Sequence, residues 1–121
     1  IYEDEHSLAV TIIEPLIEGH ILVLPKRHVK ELEELSEEEM VSFIKSVTKV
    51  VHMLKKTYDT PAAFSYMKHG KAKSQEHLHI HILPGFVPIR TLISSHFRTK
   101  PRERKSFEEL RKVAEKIKTM E

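Results

Sequence analysis

Residues 77–83 read His77-Leu78-His79-Ile80-His81-Ile82-Leu83, and nine histidines stand among the 121 residues. Alternation of this kind predicts a β-strand, because successive strand side chains point to opposite faces. His77, His79 and His81 would then share one face and Leu78, Ile80 and Ile82 the other. Three imidazoles in a row are costly as mere surface: buried, each needs a hydrogen-bond partner, and protonated, they repel one another. Three uses compete. The row could be polar residues on an exposed sheet face. It could be a strand-borne metal site, since two His nitrogens two residues apart can reach one zinc. It could be phosphorus chemistry, in which one neutral ring attacks while its neighbours donate hydrogen bonds to phosphoryl oxygens. Histidine suits the last use, because its ordinary pKa of about 6.5 leaves it neutral and nucleophilic near pH 7. Against the metal, the chain has no cysteine, and the one acid in the run, Glu76, would face the opposite way.

The elements that must hold this row follow from local pattern. Ser7 to Ile13 is apolar and β-branched, a strand that Glu14-Pro15 breaks. His20 to Leu24 is a second strand, stopped by Pro25. Ser36 with Glu39 forms a capping box that opens a long helix. Its apolar face is expected at Met40, Ile44, Val47, Val51, Leu54 and Tyr58. Ala62 to Met67 and Gln75 to Leu83 are further strands, the second ended by Pro84-Gly85. Ser106 with Glu109 repeats the capping box before a last helix striped by Leu110, Val113, Ala114 and Ile117. This order predicts an α+β fold, an antiparallel sheet packed with one long central helix and a C-terminal helix, in a single domain over residues 1–121.

Composition narrows the function. Hydrophobic residues make up 40% and charged residues 31%, which is globular and not disordered. The absence of cysteine removes disulfide scaffolds and thiolate metal sites. No apolar run reaches the roughly 20 residues of a membrane span, so a cytoplasmic protein without membrane association is expected. The start at Ile1 rather than a methionine leaves room for residues upstream. Net charge is only +2, so nucleic acid is not an expected partner. Charge is uneven, however. Glu31 to Glu39 holds six acids and no base, and Arg90 to Lys105 holds six bases and one acid. The basic run could steer a phosphate-bearing ligand.

The run from His77 to Leu83 resembles the signature of the histidine triad (HIT) superfamily. Gly19-His20-Ile21-Leu22-Val23-Leu24-Pro25-Lys26-Arg27-His28 resembles that family's second landmark, in the same order and at similar spacing. The resemblance implies a HIT-like fold and a nucleotide hydrolase or transferase. Such an enzyme cleaves a phosphoramidate or phosphoanhydride bond at a nucleoside phosphate, with no cofactor required and typically as a homodimer. By resemblance His79 is the nucleophile and forms a nucleotidyl-histidine intermediate, with its second nitrogen donating to the His77 carbonyl. His81 would hold a phosphoryl oxygen, and His20 would lie beside His77 across the sheet. Ser74 would contact phosphate or the leaving group.

Two positions depart from the family pattern. Ile12, three before Pro15, stands where an Asp or Asn usually grips ribose hydroxyls, and isoleucine accepts no hydrogen bond. Val10, on the same strand face by parity, would extend an apolar wall toward the base. Lys73 stands where a glutamine is usual and could bind phosphate as a point charge. A nucleotide-binding or regulatory protein with little turnover is the alternative that Ile12 favours. His28 is expected to order the strand exit. His6, His52, His69 and His96 are expected at surfaces and loops.

Overall fold

A computed structural model describes residues 1–70, 77–85 and 104–119. The chain falls into two compact units, Ile1–Ile89 and Arg90–Glu121. In the first, five strands form one antiparallel sheet: β1 (Tyr2–Glu3), β2 (Ser7–Thr11), β3 (Ile21–Pro25), β4 (Ala63–Tyr66) and β5 (Ile80–Pro84), in the order β1-β2-β3-β5-β4. A 3-10 turn (Leu32–Glu34) precedes the long helix α1 (Glu37–Thr57). The second unit contributes α2 (Phe107–Thr119). The architecture is the α+β fold that the sequence predicts.

Both expected capping boxes are present. Ser36 Oγ accepts from the Glu39 N–H at 3.1 Å, and Glu39 Oε1 accepts from the Ser36 N–H at 2.9 Å. At α2, Ser106 Oγ accepts from the Glu109 N–H at 3.2 Å, while Glu109 Oε2 takes the Ser106 N–H at 2.9 Å. An N-cap of this type stabilises a helix by about 1 kcal/mol. Glu39 also holds Arg27 bidentately, with both N···O distances 2.9 Å, and so ties the exit of β3 to the start of α1. The Arg27 hydrogen bonds, and then the Ser36 N–H, hold the Glu39 carboxyl down at about 2.

The buried face of α1 is rotated from the expected stripe. Phe43, Ser46, Val50 and Leu54 are buried, Val47, Val51 and Tyr58 are partly buried, and Met40 and Ile44 lie exposed. The reason is polar. The buried face carries Ser46, whose hydroxyl reaches Asp4 at 3.4 Å, next to Ser42, which reaches Asp4 at 2.8 Å. Hydroxyls can be buried when a partner satisfies them, and an apolar periodicity skips such positions. Phe43, Val50 and Leu54 pack with Ala9, Ile21, Val23 and Ile82 to form the core between α1 and the sheet.

Register decides what the other sheet face presents. Val10 pairs with Leu22, Leu22 with His81, and His81 with Tyr66. Directly paired residues share a face, so these four make one row on the side away from the core residues Val23 and Ile82.

The turn into β3 depends on Gly19. Its φ is 91°, and a Cβ placed there would lie 2.7 Å from the Tyr58 ring and 2.9 Å from Pro84 Cγ. Gly19→Ala should therefore destabilise the fold by roughly 1–3 kcal/mol, through overpacking and a left-handed backbone. Urea denaturation measures this. Unchanged stability would show that Tyr58 and Pro84 yield without cost.

Candidate active site

The histidine segment enters β5 later than the alternation predicts. The strand begins at Ile80, so His77 and His79 precede the regular ladder instead of lying within a strand from Gln75. Other contacts hold this lead-in. The Leu78 N–H donates to the Val29 carbonyl at 2.7 Å, and His77 Nε2–H donates to the Pro25 carbonyl at 2.9 Å. The turn after β3 thus grips the segment at two points.

His79 Nδ1 lies 2.8 Å from the His77 carbonyl oxygen. A carbonyl can only accept, so Nδ1 carries the proton. In the neutral ring the lone pair is then on Nε2. This leaves a nucleophilic nitrogen on the side of the ring away from the backbone that orients it.

His20 does not lie beside His77. Its Nε2 is 2.9 Å from His81 Nδ1, and the two ring centroids are 5.1 Å apart. The β3–β5 register explains the correction. Continued past its end, it would set His77 level with Lys26, well away from His20. The ring that does approach His77 is His28, with centroids 4.9 Å apart. The strand-exit histidine is therefore a neighbour of the triad's first member. The His79 and His81 rings lie 4.9 Å apart, edge to face.

Hydrogen-bond direction also fixes the tautomers of the other couple. The Leu16 N–H donates to His20 Nδ1 at 3.1 Å. That nitrogen must carry a lone pair, so the His20 proton is on Nε2 and donates to His81 Nδ1. The His81 proton is then on Nε2. His20 is buried, and burial lowers its pKa. Burial, and then the proximity of His79 and His20, pushes His81 down to about 4. His81 is therefore a neutral donor near pH 7.

Tyr66 is the site residue that sequence reasoning missed. Its ring stacks on His81 with centroids 4.3 Å apart and planes 5° from parallel. The signal existed in the strand assignments, because an antiparallel partner of the triad strand must place one residue opposite His81. It needed the register, which the sequence does not print.

The remaining expected residues are placed as follows. Val10 is on the His81 face. Ile12 lies past the end of β2, so strand parity does not carry to it. It lines a cleft of about 410 Å³ together with His20, Gly19, Leu54 and Tyr58. Ser74, Lys73 and most of the basic run lie outside the described residues. Among the described residues, no three His, Asp or Glu side chains converge as a metal ion would require. Nor is any described helix long and apolar enough to cross a membrane.

Comparison with known proteins gives the lineage of this site. The HIT domain model matches residues 1–87. The chain belongs to the HIT family. It is 40% identical over 89 residues to an uncharacterised HIT-like protein of Methanocaldococcus jannaschii, covering 71% of this chain and 67% of that one. It is 32% identical over 85 residues to the asymmetrical bis(5'-nucleosyl)-tetraphosphatase of Schizosaccharomyces pombe, covering 69% of this chain and 47% of that enzyme. Among solved structures, a HIT family member from Bacillus subtilis superposes with a TM-score of 0.71 at 25% identity, over 98% of this chain and 84% of that one. Some HIT relatives are thus hydrolases of dinucleoside polyphosphates, while others are uncharacterised.

The depressed His81 pKa has a consequence for stability. In the unfolded chain His81 binds a proton near its ordinary 6.5, and in the folded chain only near 4. Between these values the unfolded state holds more protons, so stability falls as pH falls through that window. Glu39, whose ordinary value is 4.5, acts at lower pH. Urea midpoints at about pH 7 and pH 5 should differ in the wild type and differ less in His81→Gln. An equal drop in the variant would place the loss elsewhere.

Proposed function

We propose that this HIT protein is a nucleotide hydrolase or transferase. It would cleave a phosphoramidate or phosphoanhydride bond at a nucleoside phosphate through an intermediate on His79. The observation that carries the proposal is the His79 Nδ1–H bond to the His77 carbonyl at 2.8 Å, which leaves Nε2 as the free nucleophile. In the first step the Nε2 lone pair forms a bond to phosphorus, and the bond to the leaving group breaks with its electrons. Water then attacks phosphorus, the N–P bond returns its electrons to Nε2, and a proton is released. His81 Nε2–H donates to a non-bridging oxygen, where charge develops. His20 holds His81 in that tautomer. The His77 ring, anchored on Pro25, holds the carbonyl that orients the nucleophile. No cofactor enters this chemistry.

The nucleoside half of the site is apolar. Val10 supplies a wall on the His81 face, whereas Ile12, which offers ribose no acceptor, lines a cleft beside His20 that Leu54 and Tyr58 bound on the α1 side. Ser74 and Lys73, outside the described residues, are proposed as phosphate contacts, which makes binding sensitive to salt. Ile12 also favours a second reading, a nucleotide-binding protein with little turnover. We place the protein in the cytoplasm as a homodimer. The edge strand β4, Ala63–Tyr66, carries no charge to discourage pairing. Met40, Val41 and Ile44 of α1 are exposed apolar residues available for burial.

His79→Gly should remove covalent catalysis while the core stays intact. The expected loss in hydrolysis of adenosine phosphoramidate is on the order of a thousandfold or more, each tenfold being about 1.4 kcal/mol of barrier. Comparable rates in wild type and variant would take His79 out of the nucleophile role.

A further inference from the structure

The hydrogen bond from His20 fixes His81 at one atom only. An imidazole held at Nδ1 can still tilt about that point, because the terminal torsion of histidine is broad. A donor that tilts offers its Nε2–H over a range of directions, and hydrogen bonds weaken steeply when misaligned. A second constraint is needed, and the sheet provides one. Tyr66 is paired with His81 in the β4–β5 register, and its ring lies parallel to the imidazole at 4.3 Å. The contact is face to face. It therefore fixes the ring plane, the freedom that the His20 bond leaves open. Among the described residues, the titratable groups that face His81 are His79, His20 and Tyr66. They approach it from its own segment, from the loop before β3 and from the edge strand β4. His79 attacks, His20 sets the tautomer of His81, and Tyr66 sets its plane.

We propose that Tyr66 is a positioning residue: its stacked ring holds His81 in the one plane in which the tautomer set by His20 offers Nε2–H to a phosphoryl oxygen. The part played by Tyr66 is the aromatic face, not the hydroxyl. Tyr66 is 39% exposed, so its loss removes little from the core. The kinetic side of this proposal rests on the hydrolase reading, whereas the ring-orientation side does not.

The test uses Tyr66→Ala, Tyr66→Leu and Tyr66→Phe in the whole chain, with nitrogen and carbon NMR of the His81 ring and steady-state hydrolysis of adenosine phosphoramidate. In the wild type, His81 should show one neutral tautomer protonated at Nε2 and a ring as ordered as its backbone. In Tyr66→Ala and Tyr66→Leu that tautomer, set by His20, should persist while the ring order parameters fall, and kcat should drop about tenfold with KM within about twofold. Tyr66→Phe should restore both ring order and kcat. If Tyr66→Ala fails to fold, Tyr66→Leu, which keeps the bulk but not the aromatic face, decides the matter. Unaltered ring order in the folded Ala or Leu variant would overturn the proposal. So would a Phe variant as impaired as the others, since that would assign the effect to the hydroxyl. If the wild type does not hydrolyse the substrate, the function reading fails, and the NMR arm still decides the role of Tyr66.

Discussion

The site depends on one hydrogen bond, from His79 Nδ1–H to the carbonyl of His77. It converts a ring with two interchangeable nitrogens into one with its lone pair on a chosen side. The bond is only as well placed as the carbonyl that accepts it, and that carbonyl lies outside the regular ladder. The turn after β3 makes up for this. Pro25 holds the His77 ring, Val29 holds the Leu78 N–H, and Arg27 anchors the same turn to Glu39 at the start of α1. The helix cap and His79 are therefore linked through a few residues. Glu39 serves both its own helix and, through Arg27, the segment that orients His79.

The other half of the site works by the same logic from the opposite end of β3. Leu16, at the start of the Gly19 turn, gives its N–H to His20, and His20 gives its proton to His81. Two backbone groups, the Leu16 N–H and the His77 carbonyl, thus assign the tautomers of His81 and His79 in opposite senses. One ring presents a lone pair and the other a proton. Burial supports the assignment by keeping His20 and His81 neutral. A lone pair and a donor side by side suit attack on phosphorus with a hydrogen bond to its oxygen.

Much of this is legible in the sequence. The two Ser-x-x-Glu caps, the strand-breaking prolines and the alternating histidines are local signals, and each corresponds to an element or a contact. What is not legible is what register and burial decide. Sequence spacing does not show that His20 meets His81 instead of His77, because that follows from how β3 pairs with β5. Nor does it reveal Tyr66, which has no motif and becomes a site residue only through its pairing partner. The phase of α1 escapes apolar periodicity because Ser46 is buried by virtue of its bond to Asp4, a contact between distant residues. The lead-in at His77 reads as strand because its alternation continues past the point where the ladder stops.

The proposed chemistry requires that His79 Nε2 become covalently bonded to phosphorus. Rapid mixing of the protein with adenosine phosphoramidate, quenching within the first turnover and peptide mass mapping tests this most directly. The expected result is an adenylyl adduct on the peptide that contains His79, formed and lost at rates compatible with turnover. Full hydrolysis with no adduct on that peptide at any time, or an adduct on His81 or His20 instead, would contradict it.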